Sequence, residues 1–351
     1  MSFSFGFSGD DIDDTNSAFV SSANGNSVID YKTSLLQLEM PASIQPPQKH
    51  DVKGLLMQSL GVRMSYDIDS PSIPPRRDLF DVKHQLMSQD NLTETEQILL
   101  GLTNEDLRVA KYEGGLKSWE CTFDLIDVLE KKTAGGKIYS SVIELGCGTA
   151  LPSAALFKKM LQQPAGAQTP RRLVLADYNE SVLKLVTVPN LLFTWYELQD
   201  KDQLLQALQT PKPGSELHQN TKAENGEVDI TEPLIDAFVA SLNEHNINLE
   251  FISGGWSKEF VQLLAGTAPF DLLLASETIY SPETLPVFTD TMLNLMAPQT
   301  EALVAAKRVY FGVGGGIPEF ERCLDQRAIK YESILDVTSG GVVRGVLEVL
   351  L

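Results

Sequence analysis

The segment SVIELGCGTA at residues 141–150 constrains the fold more than any other part of the chain. It opens as a run of strand formers, breaks at Gly146 and Gly148, and resumes as a helical pattern from Ala150 to Leu161. A strand that ends in a glycine turn and leads into a helix presents backbone N–H groups to a ligand. Glycine also lets that backbone approach closely, because it carries no Cβ. The segment therefore predicts a βα unit that binds a ligand at its turn.

Two features narrow the choice of ligand. A Gly-x-Gly turn alone fits nicotinamide-binding folds, other nucleotide folds and ordinary turns. The dinucleotide fingerprint needs a third glycine three residues after the second, but Leu151 stands there, followed by Pro152. Glu144 lies at the end of the strand, where a carboxylate repels a pyrophosphate and suits a cation. S-adenosyl-L-methionine, which carries a sulfonium and an ammonium, is such a cationic ligand.

The composition limits the class of protein. Of the 351 residues, 43% are hydrophobic and 21% are charged, which is normal for a soluble globular protein, and no apolar run approaches the ~20 residues of a membrane span. The cysteines are odd in number and the four histidines are scattered, so we expect a reducing compartment and no metal site. The formal net charge of −19 disfavours nucleic-acid backbone and favours basic partners, although acidity also keeps proteins soluble.

Composition also divides the chain into two parts. Residues 1–76 combine an acidic start with several prolines and few apolar side chains, so we expect a mostly disordered N-terminal tail. We expect residues 77–351 to form one folded domain. Within it, residues 210–233 are rich in Pro, Gly, Asn, Lys and Glu without apolar periodicity, which predicts an inserted surface loop.

Strand patterns alternate with helical patterns after residue 141, which indicates a doubly wound α/β sheet. Only a short turn with Gly340 and Gly341 separates the last two strands, so they must pair antiparallel, because a parallel crossover needs a longer connection. A parallel sheet that ends in such a hairpin is typical of the Rossmann-like, seven-stranded methyltransferase fold. Besides the first strand, we expect strands at 172–177, 248–253, 270–277, 302–310, 331–337 and 342–350.

Polar or aromatic side chains follow several of these strands. Asp177 ends the second strand, where an acid commonly binds ribose hydroxyls in open α/β folds, and Tyr178 and Asn179 stand beside it. Trp256 follows the third strand and suits an adenine edge, with core packing as the alternative. Trp119, just before the glycine strand, fits either a cleft wall or the core. We expect the side chains at the strand ends to meet at one edge of the sheet.

Several motifs, taken together, resemble those of the protein-histidine methyltransferase family. The similarity runs from about Leu79 to the C-terminus, and the opening MSFSFGF is similar to fungal members. Ala150 stands where relatives often have glycine. The motifs in chain order are KYEGGLKSWECT at 111–122, ELGCGT at 144–149, ADYN at 176–179, SETIY at 276–280 and VYFGVGGG at 309–316.

The resemblance implies S-adenosyl-L-methionine as methyl donor and, as acceptor, a histidine of a basic ribosomal protein, large-subunit ribosomal protein three. It implies a link to ribosome biogenesis and translation, in the cytoplasm and nucleus. We expect a monomer that contacts neither nucleic acid nor membrane directly. With the residues of the glycine strand added, the expected cofactor contacts are Ser118, Trp119, Glu120, Cys121, Thr122, Glu144, Gly146, Gly148, Asp177, Tyr178, Asn179, Gly255, Trp256, Ser257 and Ser276.

The SETIY motif suggests which groups act on the acceptor. A neutral imidazole, with a pKa of about 6.5, already offers a lone pair at physiological pH, so it needs no strong base. A carboxylate that holds the proton on the other ring nitrogen selects the tautomer and stabilises the imidazolium that forms. Glu277 is the candidate for that role, with Tyr280 as an orienting group, although Glu277 equally suits a purely structural role in its loop.

Two other functions fit the same sequence. A lysine methyltransferase on this fold shares the glycine strand and an acid-x-x-Tyr segment, but lysine must first lose a proton, so its rate rises through a higher pH range. A non-catalytic assembly factor would chaperone a basic ribosomal protein, although Glu144, Gly146, Gly148 and Asp177 argue that cofactor binding is retained. A nicotinamide oxidoreductase is disfavoured by the missing third glycine and the terminal hairpin.

Overall fold

A computed structural model of the chain describes residues 28–38, 43–87, 96, 114–166, 169–208, 225–338 and 341–351. Its strands are β1 Gln48–His50, β2 Arg63–Asp67, β3 Arg76–Arg77, β4 Ser141–Leu145, β5 Arg171–Asp177, β6 Asn225–Asp229, β7 Ile247–Ser253, β8 Leu272–Ser276, β9 Glu301–Lys307, β10 Lys330–Val337 and β11 Arg344–Leu350. Its α-helices are α1 Tyr31–Gln37, α2 Val52–Met57, α3 Leu79–Met87, α4 Glu120–Thr133, α5 Leu151–Leu161, α6 Glu180–Val182, α7 Val188–Tyr196, α8 Lys201–Leu208, α9 Glu232–Glu244, α10 Lys258–Leu263, α11 Leu285–Leu295 and α12 Ile317–Asp325.

Within these residues, eight strands form the main sheet in the order β1-β7-β5-β4-β8-β9-β11-β10. The strands from β7 to β9 are parallel, and β11 pairs antiparallel with both β9 and β10. The predicted α/β class, the seven strands of the Rossmann-like sheet and its terminal hairpin are therefore confirmed, and β1 adds an eighth strand at the edge. The chain order reverses at β4, between β5 and β8, and such a switch point is where open α/β sheets bind ligands at their carboxyl edge.

The central strands are buried because alternate residues pack against helices on opposite faces. Val142 of β4 belongs to a cluster with α4, α5, α7 and α9, whereas Ile143 belongs to a second cluster with α10, α11 and α12. In β8, Leu272 and Leu274 lie in the first cluster and Leu273 in the second. Burial on both faces explains the continuous apolar runs of these strands. Two packed layers thus fix the strand ends that carry the site.

The tail predicted for residues 1–76 is in large part folded. Residues 28–38 and 43–76 contribute α1, β1, α2, β2 and the start of β3, so that part of the prediction is wrong. β1 pairs antiparallel with β7 and adds an eighth strand at the edge of the sheet. Residues 1–27 and 39–42 lie outside the described residues, and the predicted disorder there stays a prediction.

The boundary predicted between residues 76 and 77 is also wrong, because it cuts through β3. Residues 1–76 are polar on average, but they include short apolar segments whose side chains pack into the core. Leu55, Leu56 and Met64 are each at most 2% exposed. Burying a leucine side chain contributes about 2 kcal/mol, so a few such residues tie down a polar segment.

The surface loop predicted at 210–233 ends earlier than expected. β6 lies in its last third and pairs antiparallel with β2 in a second sheet of order β3-β2-β6. The Thr231 hydroxyl then caps α9 by accepting a hydrogen bond from the Leu234 N–H at 3.3 Å. The prediction is wrong for residues 225–233, and residues 209–224 lie outside the described residues.

Among the helices of the described ranges, none combines the length and apolar character that crossing a bilayer requires.

Candidate active site

A cleft opens at the carboxyl edge of the main sheet, above β4, β5, β7 and β8. It encloses about 1030 Å³ including its open mouth, which suffices for a nucleoside-sized ligand. Segments that are distant in sequence meet there because parallel strands deliver their following loops to one edge. The lining residues are Ile44, Gly114, Gly115, Lys117, Trp119, Thr122, Glu144, Gly146, Cys147, Gly148, Thr149, Asp177, Tyr178, Gly254, Gly255, Trp256, Ser276, Glu277, Thr278, Tyr280, Thr284 and Val287.

The glycine turn after β4 forms part of the cleft wall. Gly146 and Gly148 have φ angles of 65° and 50°, which residues with side chains rarely adopt. A Cβ on Gly146 would lie 2.5 Å from the Thr278 Cγ2 atom, and a Cβ on Gly148 would lie 3.0 Å from the Gly115 carbonyl oxygen. The turn thus needs glycine for its backbone conformation and for the close approach of its neighbours. Ala150 shares this left-handed conformation with a φ of 53°, which glycine adopts at lower cost.

Asp177 is held at the end of β5 by backbone N–H groups. Its Oδ2 atom accepts a hydrogen bond from the Gly148 N–H at 3.0 Å, and its Oδ1 atom accepts one from the Asn179 N–H at 3.1 Å. The carboxylate therefore links the glycine turn to the neighbouring strand and keeps a fixed orientation in the cleft wall. This is the position at which the sequence predicts an acceptor for ribose hydroxyls.

A strap of N-terminal residues, 43–47, closes one side of the cleft. The Gly255 N–H donates to the Gln45 carbonyl oxygen at 2.9 Å, and the Gln45 N–H donates to the Tyr178 hydroxyl at 3.2 Å. Ile44 lines the cleft, and a Cβ on Gly255 would lie 2.4 Å from its Cγ2 atom. The strap therefore covers the loops that follow β5 and β7.

The two tryptophans of the cleft have different surroundings. The Trp256 ring centre lies 5.1 Å from that of Phe288, so this side chain joins the core while it lines the cleft. Trp119 is 36% exposed, and its indole N–H donates to the Gly114 carbonyl oxygen at 3.3 Å. The Lys307 Nζ atom lies 5.2 Å from the Trp119 ring centre. Trp119 thus stands at the mouth of the cleft and not in the core.

Glu144 is the buried acid of the cleft. It is 1% exposed, and its Oε2 atom accepts a hydrogen bond from the Ser153 N–H at 3.2 Å in the first turn of α5. Burial and, to a smaller extent, the Asp177 charge raise the pKa of Glu144 to about 8, against the opposing effect of the hydrogen bonding with Ser153. No Lys or Arg among the described residues contributes to this pKa. A cationic ligand would supply the missing positive charge.

Glu277 follows β8 and lies at the mouth of the cleft. Its φ of 58° is left-handed, a conformation that costs a non-glycine residue about 1–2 kcal/mol. The Oε1 atom accepts a hydrogen bond from the Cys121 N–H at 3.3 Å, and the Oε2 atom accepts one from the Tyr310 hydroxyl at 2.5 Å. The Lys307 Nζ atom lies 3.9 Å from Oε1. The left-handed backbone and the three contacts together hold the Glu277 carboxylate in one orientation.

Lys307 and Tyr310, which end and follow β9, support this carboxylate. The Lys307 Nζ atom also pairs with Glu120 at 2.9 Å; burial opposes its charge, but the Glu120 and Glu277 carboxylates raise the pKa of Lys307 overall. Burial and the Glu277 charge raise the pKa of Tyr310, so its hydroxyl remains a donor at neutral pH. The same two causes raise the pKa of the Cys121 thiol. The cluster therefore offers a held carboxylate and no thiolate nucleophile.

Most of the predicted site residues meet around the cleft. Both predicted catalytic residues, Glu277 and Tyr280, line it. The predicted cofactor contacts that line it are Trp119, Thr122, Glu144, Gly146, Gly148, Asp177, Tyr178, Gly255, Trp256 and Ser276. The predicted contacts that are not among the lining residues are Ser118, Glu120, Cys121, Asn179 and Ser257.

Three of these five residues, Ser118, Asn179 and Ser257, support the wall from behind. The Ser118 and Thr149 hydroxyls are hydrogen-bonded at 3.0 Å, and Ser257 caps α10 by accepting the Phe260 N–H at 3.2 Å. Asn179 is 3% exposed, and its N–H fixes the acid at the end of β5. Glu120 pairs with Lys307 at the mouth, and the Cys121 N–H donates to Glu277 there. Direct contact of these five with the cofactor stays a prediction that this arrangement does not favour.

Sequence reasoning missed several residues of the site. Ile44 lies in a stretch whose composition predicts a disordered tail, and Thr278 follows a predicted strand with no pattern that gives it a role. Lys307 and Tyr310 lie in the predicted strand 302–310, and Tyr310 also lies in the VYFGVGGG motif, but neither pattern predicts a role for them in the site. No local pattern predicts these two supports, because only the adjacency of β8 and β9 in the sheet brings them to Glu277.

The cleft residues fit S-adenosyl-L-methionine. The acidic Glu144 suits a cation, Asp177 suits a pair of hydroxyls, and Trp256 offers an aromatic surface to a base. The Thr278 Oγ1 atom is buried without a hydrogen-bond partner in the described part of the chain, so a polar ligand beside the glycine turn would satisfy it. Within that part, no group of three or more His, Cys, Asp or Glu residues could hold a metal ion.

Comparison with known proteins points to one family. No protein-family model matches the chain. The chain is 40% identical to Histidine protein methyltransferase 1 of Saccharomyces cerevisiae, over 93% of this chain and 91% of that protein. It is 38% identical to the protein of the same name in Schizosaccharomyces pombe, over 72% and 68%. It is 32% identical to the Histidine protein methyltransferase 1 homolog of Bos taurus, over 70% and 57%.

Solved structures are more distant. Magnesium protoporphyrin IX methyltransferase from Synechocystis PCC 6803 with bound SAM is 12% identical, over 86% of this chain and 97% of that one, with a TM-score of 0.34. A similarity of this size carries no weight for the activity.

The sheet order and the cleft define the class as a Rossmann-like methyltransferase that depends on S-adenosyl-L-methionine. Within that class, the chain belongs to the histidine protein methyltransferase family, which confirms the resemblance found in the motifs. The protein is therefore an enzyme that methylates histidine in protein substrates.

Proposed function

We propose that this enzyme methylates a histidine of a basic ribosomal protein, large-subunit ribosomal protein three, and that it does so in the cytoplasm and nucleus as a monomer. The observation that carries the chemistry is the Glu277 carboxylate, which Lys307 and Tyr310 hold at the mouth of the cleft. The net charge of −19 supports a basic substrate. The motif resemblance supports this ribosomal protein in particular.

The acceptor needs alignment more than activation. S-adenosyl-L-methionine, when bound, would supply a methyl group on a sulfonium for in-line transfer to a neutral imidazole nitrogen, with S-adenosylhomocysteine as the leaving group. Glu277 accepts the N–H of the other ring nitrogen, which selects the reactive tautomer and stabilises the charge that develops on the ring. Lys307 and Tyr310 keep the carboxylate in place during this step. Tyr280, whose ring centre lies 6.2 Å from that of Tyr310, orients the imidazole at the mouth.

The test is incubation with tritiated S-adenosyl-L-methionine and an extract of cells that lack the enzyme, followed by peptide mass spectrometry of labelled bands. The Glu277→Gln protein, run in parallel, separates this activity from other methyltransferases in the extract. We expect one methyl group on a histidine of large-subunit ribosomal protein three.

The other outcomes refute separate parts of the proposal. Label on a histidine of another protein would refute the substrate, and label on lysine would refute the acceptor. No label, with the cofactor still bound in calorimetry, would favour an assembly factor.

A further inference from the structure

The loop after β9, residues 308–316, folds onto the segment that carries Glu277. The Gly315 N–H donates to the Tyr280 carbonyl oxygen at 3.0 Å, and a Cβ on Gly315 would lie 2.4 Å from that oxygen. The Tyr310 hydroxyl reaches Glu277 from the inner face of the loop. This inner face belongs to the proposed catalytic site, whereas the outer face has no role in the chemistry described so far.

The outer face carries exposed apolar side chains. Phe311 is 90% exposed, Val309 47% and Val313 44%. Val343, 41% exposed, adjoins them because its carbonyl oxygen accepts the Arg308 N–H at 2.8 Å. We call the four side chains Val309, Phe311, Val313 and Val343 the mouth patch. Single exposed apolar residues are ordinary, whereas a group of them on two hydrogen-bonded loops is the kind of surface on which partners dock.

The mouth patch lies at the same edge of the sheet as the cleft. Arg344, at the start of β11, pairs with Lys307 at the end of β9, so the turn that contains Val343 is at the carboxyl edge. Lys307 lies over the Trp119 ring and beside Glu277 at the mouth. The patch therefore lies beside the mouth of the cleft.

We propose that the mouth patch docks the substrate polypeptide next to its target histidine, by taking an apolar or aromatic side chain two to four residues away. This proposal rests on the proposed function because it requires a protein histidine at Glu277. It does not depend on which protein carries that histidine. An extended chain advances about 3.3 Å per residue, so such a side chain lies about 7–13 Å from the histidine. Phe311 directly follows Tyr310, whose hydroxyl contacts Glu277, so the loop that carries Phe311 lies beside the proposed position of the histidine.

Charge favours a basic polypeptide over a second copy of this chain as the occupant. The charges at the mouth itself are mixed, because Glu120 pairs with Lys307 at 2.9 Å and the exposed Arg308 lies in the same loop as the patch, opposite in sign to the exposed Glu283. The preference therefore comes from the net charge of the whole chain. Two copies that each carry a net charge of −19 repel one another, whereas a basic chain is attracted. The apolar patch then supplies the short-range contact that charge alone does not provide.

The test compares Phe311→Ala with Leu350→Ala. Leu350 is 43% exposed and lies at the other end of β11, at the amino edge of the sheet, so its truncation is a matched control. Initial rates of tritium transfer are measured on whichever protein the wild-type enzyme labels on histidine, in serial dilutions of extract from cells that lack the enzyme. We expect Phe311→Ala to lower kcat/KM about tenfold, through the apparent KM, with full recovery in Phe311→Leu.

Cofactor affinity by calorimetry and molecular mass by sedimentation complete the experiment. We expect wild-type values of both in all three variants. Unchanged rates in Phe311→Ala, or an equal loss in Leu350→Ala, would overturn the docking site. A wild-type dimer that Phe311→Ala converts to a monomer would assign the patch to a second copy. A histidine label on a protein other than the ribosomal one would refute that substrate while leaving this comparison intact.

Discussion

Two carboxylates line one cleft and lie near the carboxyl ends of adjacent parallel strands, yet their surroundings differ. Glu144, in β4, is fully buried, with one backbone N–H as its hydrogen-bond donor and a pKa raised to about 8. Glu277, after β8, is held by a lysine, a tyrosine hydroxyl and a backbone N–H. Within the described residues, no lysine or arginine pairs with Glu144, whereas Lys307 lies 3.9 Å from the Glu277 carboxylate.

This difference in surroundings suits the two carboxylates to different roles. A buried carboxylate without a counter-ion changes its protonation when a cation arrives, so Glu144 suits the positively charged cofactor. A carboxylate in a lasting ion pair keeps its position, so Glu277 suits a neutral ring that becomes charged only during reaction. Substitutions that remove one acid at a time should therefore separate cofactor binding from turnover.

Removal of the Glu277 charge should have the largest effect on turnover. In Glu277→Gln we expect kcat to fall about 10²–10³-fold, because the amide does not stabilise the developing imidazolium. The measurement is single-turnover methyl transfer, with cofactor affinity determined separately by calorimetry. A wild-type kcat would assign Glu277 to the shape of its loop, and a parallel loss of cofactor affinity would contradict the proposed difference in roles.

Removal of the Glu144 charge should act on cofactor affinity instead. In Glu144→Gln we expect affinity to fall about tenfold at pH 8, which is the free-energy equivalent of one pKa unit. The ligand-free acid is mostly protonated below pH 8, and a bound cation favours its ionised form. Wild-type affinity should thus rise from pH 6 to 8, with proton release visible by calorimetry in buffers of different ionisation enthalpy. In Glu144→Gln, we expect neither the rise in cofactor affinity between pH 6 and 8 nor the proton release.

Stability supplies the control for Glu144. Its folded-state pKa of about 8 exceeds the ordinary value of 4.5, so the ligand-free protein binds this proton more tightly than the unfolded chain. The Glu144 contribution to stability must therefore fall as pH rises from about 4.5 towards 8. We expect denaturant unfolding to show that Glu144→Gln gains stability relative to wild type over this window. A loss instead would mean that the carboxylate is already compensated within the protein.

The positions of both carboxylates in this comparison could be predicted from the sequence, because each buried parallel strand is recognisable as a short apolar run. Glu144, Asp177 and Glu277 each end an apolar run, and the sheet rule puts such ends together. The supports of Glu277 could not be found in this way. Tyr310 reaches it across 33 residues of sequence, and only the neighbouring positions of β8 and β9 bring the two together.

The N-terminal strap was missed for a similar reason. Residues 43–47 are polar and proline-containing, so local composition indicates a tail. Their order comes from pairing with the edge of a sheet whose strands lie about 200 residues later, as in the Gly255–Gln45 hydrogen bond. Patterns within a short window do not contain such contacts.

Loss of the Tyr310 hydroxyl should weaken the position of Glu277 without removing its charge. In Tyr310→Phe we expect kcat to fall about fivefold, as one hydrogen bond to a charged group contributes about 1–2 kcal/mol and Lys307 remains in place. Tyr139→Phe is the matched control, because the Tyr139 hydroxyl also donates to a carboxylate, that of Glu301, at the opposite edge of the sheet. Equal changes in the two variants would mean that the effect is general loss of stability.

Truncation of Ile44 in the strap should have the smallest effect, confined to the cofactor end of the cleft. In Ile44→Ala we expect calorimetry to show cofactor affinity about three- to fivefold weaker, since a partly buried side chain contributes about 1 kcal/mol of apolar contact. Ile68→Ala is the control, because Ile68 is 36% exposed and does not line the cleft. The KM for the protein substrate should stay unchanged in both variants. If the KM for the protein substrate rises in Ile44→Ala but not in Ile68→Ala, the strap contacts the substrate as well as the cofactor. The two ends of the cleft would then not act separately.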